Sequence, residues 1–379
     1  MHLICLALAT TTLAGPLDPP AGPIAPTPGP EPRIAINATN TPGDADSVYR
    51  IVQHGSYYLE GNLTGAVGKS VIEIAADSVT LDLNGFEVRG AASGSLQGIT
   101  SPNFHSNITI RNGSVAFCFS DGIRLTFARN CIIKDVQSSN NNGDGFRISN
   151  NAVVTRCTAF NNSEDGFDLG DGCALSHCTS RENTANGFNL ADACTVTDCV
   201  AYDNDVSGFI GATNCTVTNT TAYSNGNAGI AVNVGGVVTA CSAFLNGGYG
   251  INCSGSGVVS DCAARANTAG GIRVGGQSNL QDNMCHANTG PGILVSALDT
   301  RIEGNNCVAN GTGIKVDLGG NIIVRNSCSG NTTNWNLAAN NAVGPIVLAG
   351  DAAGIGAAVM GDTFVGSVGS THPNANFTY

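Results

Sequence analysis

Residues 145–190 read GFRISNNAVVTRCTAFNNSEDGFDLGDGCALSHCTSRENTANGFNL, which holds Gly-Phe three times at intervals of 21 residues. The interval persists far beyond this stretch. The series runs Gly145-Phe146, Gly166-Phe167, Gly187-Phe188, Gly208-Phe209, Gly229-Ile230, Gly250-Ile251, Gly271-Ile272, Gly292-Ile293 and Gly313-Ile314. A period in the twenties made of short apolar runs marks a solenoid, in which each coil stacks on the last and buries what it could not bury alone.

Aligned on the glycine, other columns come into register. Four residues before it stands Asn141, Asn162, Asn183, Asn204, Asn225, Asn246, Asn267 or Asn288. Upstream lies an apolar column that includes Val154, Leu175, Val196 and Val217, followed three residues later by Cys157, Cys178, Cys199 and Thr220. After the glycine, Phe146 pairs with Ile148, Phe167 with Leu169 and Phe188 with Leu190 at period two, the mark of a strand with one buried side. No part of a coil offers ten residues of helical periodicity, and Gly and Asn are too dense for helix. Three short strands and tight turns therefore fill each repeat, and parallel stacking sets like side chains about 4.8 Å apart. The glycine fits a corner where a Cβ would be opposed. The Asn column fits a hydrogen-bonded ladder that satisfies turn amides.

This pattern resembles the right-handed parallel β-helix repeat of the pectate-lyase-like superfamily, over residues 66–331. The resemblance implies an all-β solenoid of about a dozen coils, capped at both ends. It names no reaction, because that superfamily holds lyases, hydrolases, epimerases, phage tailspikes and proteins without known activity. The stretch 31–98, with Pro-Gly-Asp-Ala-Asp-Ser (42–47), Gly-Ser-Tyr-Tyr-Leu (55–59) and Val-Thr-Leu-Asp-Leu-Asn-Gly-Phe (79–86), is similar to the leading segment of secreted β-helix proteins from planctomycete-like bacteria.

The ends have other compositions. Residues 1–15 pair an apolar run with small residues and read as a secretory signal, although no Lys or Arg precedes the run; the alternative is a leader without a targeting role. Residues 16–32 are a Pro/Gly-rich linker. Residues 33–65 are expected to cover the open amino end of the stack, and 332–379 to form a carboxyl-terminal cap or tail, with short strands at Ile346–Leu348, Val359 and 364–368. The expected location is secreted, periplasmic or at the cell surface, and no segment has the roughly 18 apolar residues of a membrane span. A net charge of −12 with only 16 Lys plus Arg opposes binding to nucleic acid. The repeat leaves the oligomeric state open.

Fifteen cysteines in an exported chain would suggest disulfides. Their columnar placement argues instead for small apolar core thiols, since stacked neighbours keep Cβ atoms near 4.8 Å and a relaxed disulfide wants about 3.8 Å. Occasional disulfides or metal ligation are the remaining readings, and a linear column does not converge on a metal.

One constellation rises above the repeat. Asp121, Asp144 and Asp165 precede the glycine in adjacent coils, and Arg124, Arg147 and Asp168 follow it by two, with Glu164 and Asp171 flanking. Both columns are expected on one exterior face. Clustered carboxylates suit calcium, with Asp121, Asp144, Asp165 and Asp168 as candidate ligands. Asp144, Asp165, Asp168, Arg124 and Arg147 are the candidate catalytic residues: Arg can pair with a sugar carboxylate, and opposed carboxylates can cleave a glycosidic bond. Arginine as a base is demanding, because it stays protonated at neutral pH. The alternative is a turn column whose Asp residues accept backbone amides beside weak ion pairs.

Other outward columns are plainer. Thr155, Ser176, Thr197, Thr218, Thr239 and Ser260 make a hydroxyl ladder that strand preference explains. Phe160, Tyr202, Tyr223 and Phe244 share a column that Arg181 interrupts, and form either a shielding stripe or a sugar platform. The expected function is an exported, non-catalytic β-helix that is structural or weakly glycan-binding at a surface or matrix. The alternative is a calcium-assisted polysaccharide lyase or a glycoside hydrolase acting on an extended acidic glycan.

Overall fold

The computed structural model describes residues 33–91, 94–348 and 372–379. The expected signal, the linker and the strands at Val359 and 364–368 lie outside the described residues. Within them the chain is a right-handed parallel β-solenoid, with no helix among the described residues. A 21-residue coil carries three strands, for example Phe146–Ile148, Val153–Thr155 and Thr158–Phe160. The strands that follow the glycine form one 14-stranded sheet, from Ser47–Ile51 to Thr333–Leu337. Each strand pairs in parallel with its counterpart one coil on, so that Phe146 lies opposite Phe167 and Phe167 opposite Phe188.

The stack is longer than the expected dozen coils and overruns the expected limits of 66–331. Ser47–Ile51 already pairs in parallel with Ser70–Ile74, and Ile34–Ala35 with Gly55–Tyr58. At the other end Thr333–Leu337 continues the 14-stranded sheet. These rungs escape the 21-residue count because their turns differ in length, while the backbone ladder needs only strand-length segments in phase.

The core is built from the columns. Phe146, Phe167, Phe188 and Phe209 are fully buried and stack with centroids 4.5–4.8 Å apart and nearly parallel rings. All fourteen cysteines among the described residues are free and buried. Desolvation pushes their thiols up, to about 12 at Cys118 and Cys131. The Asn column forms a continuous amide ladder. Asn183 Nδ2 donates to Asn204 Oδ1 at 3.0 Å, and Asn204 Nδ2 to Asn225 Oδ1 at 2.9 Å. The same oxygens accept backbone N–H groups, which satisfies donors buried at the corner. The recurring glycine answers to clearance rather than to an unusual φ. A Cβ at Gly187 would lie 2.6 Å from the carbonyl oxygen of Gly208 and 2.9 Å from Asn204 Nδ2. The left-handed corners fall elsewhere, on residues such as Arg156, His177 and Asp198.

Candidate functional site

On the solvent side of the 14-stranded sheet, parallel pairing lines up one outward residue per coil. The column reads Arg50, Glu73, Thr100, Arg124, Arg147, Asp168 and Asn189. Each follows and precedes a buried residue, as Glu73 does between Ile72 and Ile74, so strand alternation aims them all outward. Beyond Asn189 the same column becomes Ile210, Ala231 and Asn252.

Longer turns on either side raise this part of the sheet into a groove of about 810 Å³. Asp44, Asp46 and Gln97 stand along one wall, and Asn103 and Phe127 along the other. Phe127 meets Phe104 edge-on at 5.5 Å between centroids, and both rings are exposed. On the floor, Arg50 Nε lies 3.0 Å from Glu73 Oε1 and 3.3 Å from Asp44 Oδ2. Arg124 Nε lies 3.0 Å from Asp121 Oδ2. Arg147 bridges two carboxylates, with Nε 3.2 Å from Asp168 Oδ2 and Nη1 3.7 Å from Asp144 Oδ2. The arginine side chains remain more than a third exposed.

The aspartates before the glycine do not share that exterior face. Asp121 and Asp144 are 2% and 3% exposed and lie beneath the arginines. Their Oδ1 atoms accept the backbone N–H of the next coil: Asp144 N–H donates to Asp121 at 2.9 Å and Asp165 N–H to Asp144 at 2.8 Å. Asp165 continues this rail by accepting Asn186 N–H at 2.7 Å, and Asp165 is only partly exposed. These residues sit at a corner, where the two-residue alternation of the strand no longer predicts direction. Asp171 belongs to the opposite corner, in a separate ladder through Asn150 and Asp192.

Burial has electrostatic consequences. Desolvation, then the neighbouring Asp121 and Asp168 carboxylates, push Asp144 up to about 8. Desolvation also raises Asp168, which the adjacent Arg147 guanidinium opposes. Asp144 is thus protonated at neutral pH, and Asp168 is a half-buried carboxylate with a strengthened hold on its proton. Asp121, Asp144 and Glu164 offer oxygens within 4.8 Å of one another, an all-oxygen set suited in kind to a hard divalent cation. Asp165 and Asp168 fall outside that set. Asp121 Oδ2 is buried without a hydrogen bond, its near neighbour being the Arg124 guanidinium.

Arg50, Glu73, Thr100 and Phe127 are site residues that the repeat alignment misses. The available signal is a lone charge between buried apolar residues, in Tyr49-Arg50-Ile51 and Ile72-Glu73-Ile74. It is obscured because Arg50 to Glu73 spans 23 residues and Glu73 to Thr100 spans 27.

No curated protein matches the chain in sequence. Solved structures of the same fold include the A-module of the mannuronan C-5 epimerase AlgE6 of Azotobacter vinelandii, at 19% identity and a TM-score of 0.59, covering 76% of this chain and 88% of that one. The A-module of the mannuronan C-5 epimerase AlgE4 from the same organism is 18% identical with a TM-score of 0.59, covering 76% of this chain and 90% of that one. At such identities the likeness is one of fold. The family model described as "Right handed beta helix region" matches residues 68–206 and 208–353, the greater part of the sequence, and the chain belongs to that family.

Proposed function

We propose that the groove holds an extended, carboxylate-bearing polysaccharide and that the chain is an exported glycan-binding solenoid. The observation that carries this reading is the floor column. Arg50, Arg124 and Arg147 face outward from a track of rungs about 4.8 Å apart, beside the exposed Phe127 and Phe104. Guanidinium groups pair with carboxylates through planar, charge-assisted hydrogen bonds, and aromatic walls suit the apolar faces of sugar rings. The chain as a whole is strongly acidic, yet the groove is not. Three arginines offset Asp44, Asp46 and Glu73, and Asp144 beneath them is uncharged at neutral pH. The two epimerases that share the fold are named for mannuronan, which makes acidic glycans the first class to test. Calorimetric titration against polyuronates and neutral glucans provides the test. Binding to a polyuronate, weakened by Arg147→Ala, supports the reading; no binding across the panel leaves only a structural role.

A second reading is favoured by one observation, the pairing of Asp168 with Arg147. In a polysaccharide lyase, Arg147 would clamp a sugar carboxylate while Asp168 took the proton from the adjacent carbon, a task eased by its raised affinity for protons. Calcium held by Asp121, Asp144 and Glu164 would supply further neutralisation of substrate charge. Glycoside hydrolysis fits less well, since Asp144 is too buried to reach a glycosidic oxygen. A depolymerisation screen with and without calcium, following unsaturated products and new reducing ends, distinguishes this reading from binding alone. Activity that survives Asp168→Asn would remove Asp168 from the chemistry.

A further inference from the structure

Near the carboxyl end, stacking order departs from chain order. Ile322 lies opposite Ala342, so the last step along that series is 20 residues. The same step from Ser327 leads to Val347, in the strand Ile346–Leu348. That strand is not there. Asn376–Thr378 occupies the rung, with Ser327 opposite Phe377 and Cys328 opposite Thr378. Ile346–Leu348 is displaced to its far side, with Val347 opposite Phe377. The last strand of the chain is threaded between two rungs that the repeat makes neighbours.

Three features are matched to this arrangement. Asn283, Asn305 and Asn326 form an amide ladder one coil apart, and Asn376 extends it. Asn326 donates to Asn376 Oδ1 from its backbone N–H at 3.0 Å and from Nδ2 at 3.2 Å. Asn376 Nδ2 in turn reaches the carbonyl oxygens of Ile323 at 3.1 Å and Gly344 at 3.0 Å. By count, Ile346 would fall at this position and offer the buried Asn326 no acceptor. Gly344 supplies clearance, because a Cβ there would lie 1.9 Å from the carbonyl oxygen of Asn374. Trp335 Nε1 donates to Thr378 Oγ1 at 2.6 Å.

We infer that the rung between Ser327–Ser329 and Ile346–Leu348 is a strand-acceptor site for an Asn-Phe-Thr segment. It is filled here by the chain's own end and accepts the same segment of a second copy, so that reciprocal exchange joins two solenoids at their carboxyl ends. Residues 349–375 connect the two strands, and their contour of up to roughly 90 Å reaches well beyond one rung. Exchange of an identical element adds no new contact and costs little beyond association. Backbone pairing supplies affinity while the Asn376 amide supplies selectivity.

The test mixes two full-length preparations, one biotinylated and one fluorescent, at high concentration with mild warming, then recovers mixed dimers on streptavidin. Mixed dimers are expected from the native chain and are expected to be lost with Asn376→Ala or Gly344→Ala. A fluorescent peptide of residues 372–379 is expected to bind full-length Asn376→Ala, whose own strand competes poorly, and the peptide carrying Asn376→Ala about tenfold more weakly. A strictly monomeric chain together with no peptide uptake overturns the inference. So do mixed dimers that form equally in both variants, since these would associate elsewhere.

Discussion

The coils before Asp168 and those after Asn189 share one backbone plan and differ in everything that could bind. In the later coils the outward column of the 14-stranded sheet carries Ile210, Ala231 and Asn252 at a strict 21-residue step, with no raised wall. In the earlier ones it carries Arg50, Glu73, Arg124 and Arg147 at steps of 23 to 27, and the surplus residues build the groove. Regular repetition stabilises a stack, because each coil satisfies its neighbour in the same way. A site needs the repetition broken on the outside while the core ladder stays in phase.

The largest expected effect tests that division between core and face. Phe188 is fully buried, sandwiched between Phe167 and Phe209 at 4.8 and 4.5 Å. Phe188→Asp places an unpaired charge there and should cost more than about 4 kcal/mol, enough to prevent folding. Ile210→Asp, on the outward column one coil later, should change stability by no more than about 0.5 kcal/mol. Urea unfolding of the two variants decides; equal losses would place Ile210 in the core.

Next comes the buried carboxyl under the groove. Asp144 is raised in the folded state to about 8, against about 3.9 when unfolded. Between these values the folded protein holds a proton that the unfolded chain has released. The contribution to stability is therefore complete below about pH 4 and lost as pH rises through 8, at up to about 1.4 kcal/mol per unit. Asp144→Asn keeps an oxygen for the Asp165 N–H and cannot ionise. Relative to the native chain the variant should gain stability between pH 5 and 8. A difference between the two that stays constant with pH would show that Asp144 is ionised in the fold.

The Asn ladder was legible from the sequence, since identical residues at identical steps can only stack. So were the Phe column and the core placement of the cysteines. The groove was not. Counting by 21 loses register where turns lengthen, and Arg50 and Glu73 lie before the first regular glycine. Asp121 and Asp144 were seen but assigned to the wrong side. Alternation fixes direction within a strand, and these two stand at a corner where hydrogen bonds to the next coil turn them inward. Asn204→Ala tests the legible part. It strips Asn183 of its acceptor at a fully buried corner and should cost about 1–3 kcal/mol. No loss in a thermal melt would mean that water replaces the amide.

Within the groove, the comparison can be made with one residue type. Arg147 and Arg273 both project from the same column, the first in the walled coils and the second in the regular ones. Arg147→Ala should weaken polyuronate binding about tenfold, the loss of one charge-assisted hydrogen bond. Arg273→Ala should leave the affinity unchanged. Equal effects would indicate diffuse electrostatic attraction in place of a site, and raising the salt concentration would then abolish both.

The smallest effect concerns the aromatic column on the other sheet. Tyr202, Tyr223 and Phe244 stack face to face at 4.9 and 5.0 Å. Arg181 continues the column, its guanidinium lying 4.3 Å over the ring of Phe160. Ring faces stacked in this way are covered by their neighbours and present mainly edges to solvent, which favours a shielding stripe over a sugar platform. Arg181→Tyr should therefore be tolerated, with a change in stability within about 1 kcal/mol, as one stacked contact replaces one cation–π contact. Arg181→Ala exposes the Phe160 face and should lose about 0.5–1 kcal/mol. If the stripe were instead a glycan platform, Arg181→Ala would strengthen binding to neutral glucans by freeing that face, and titration of the variant against them would reveal it.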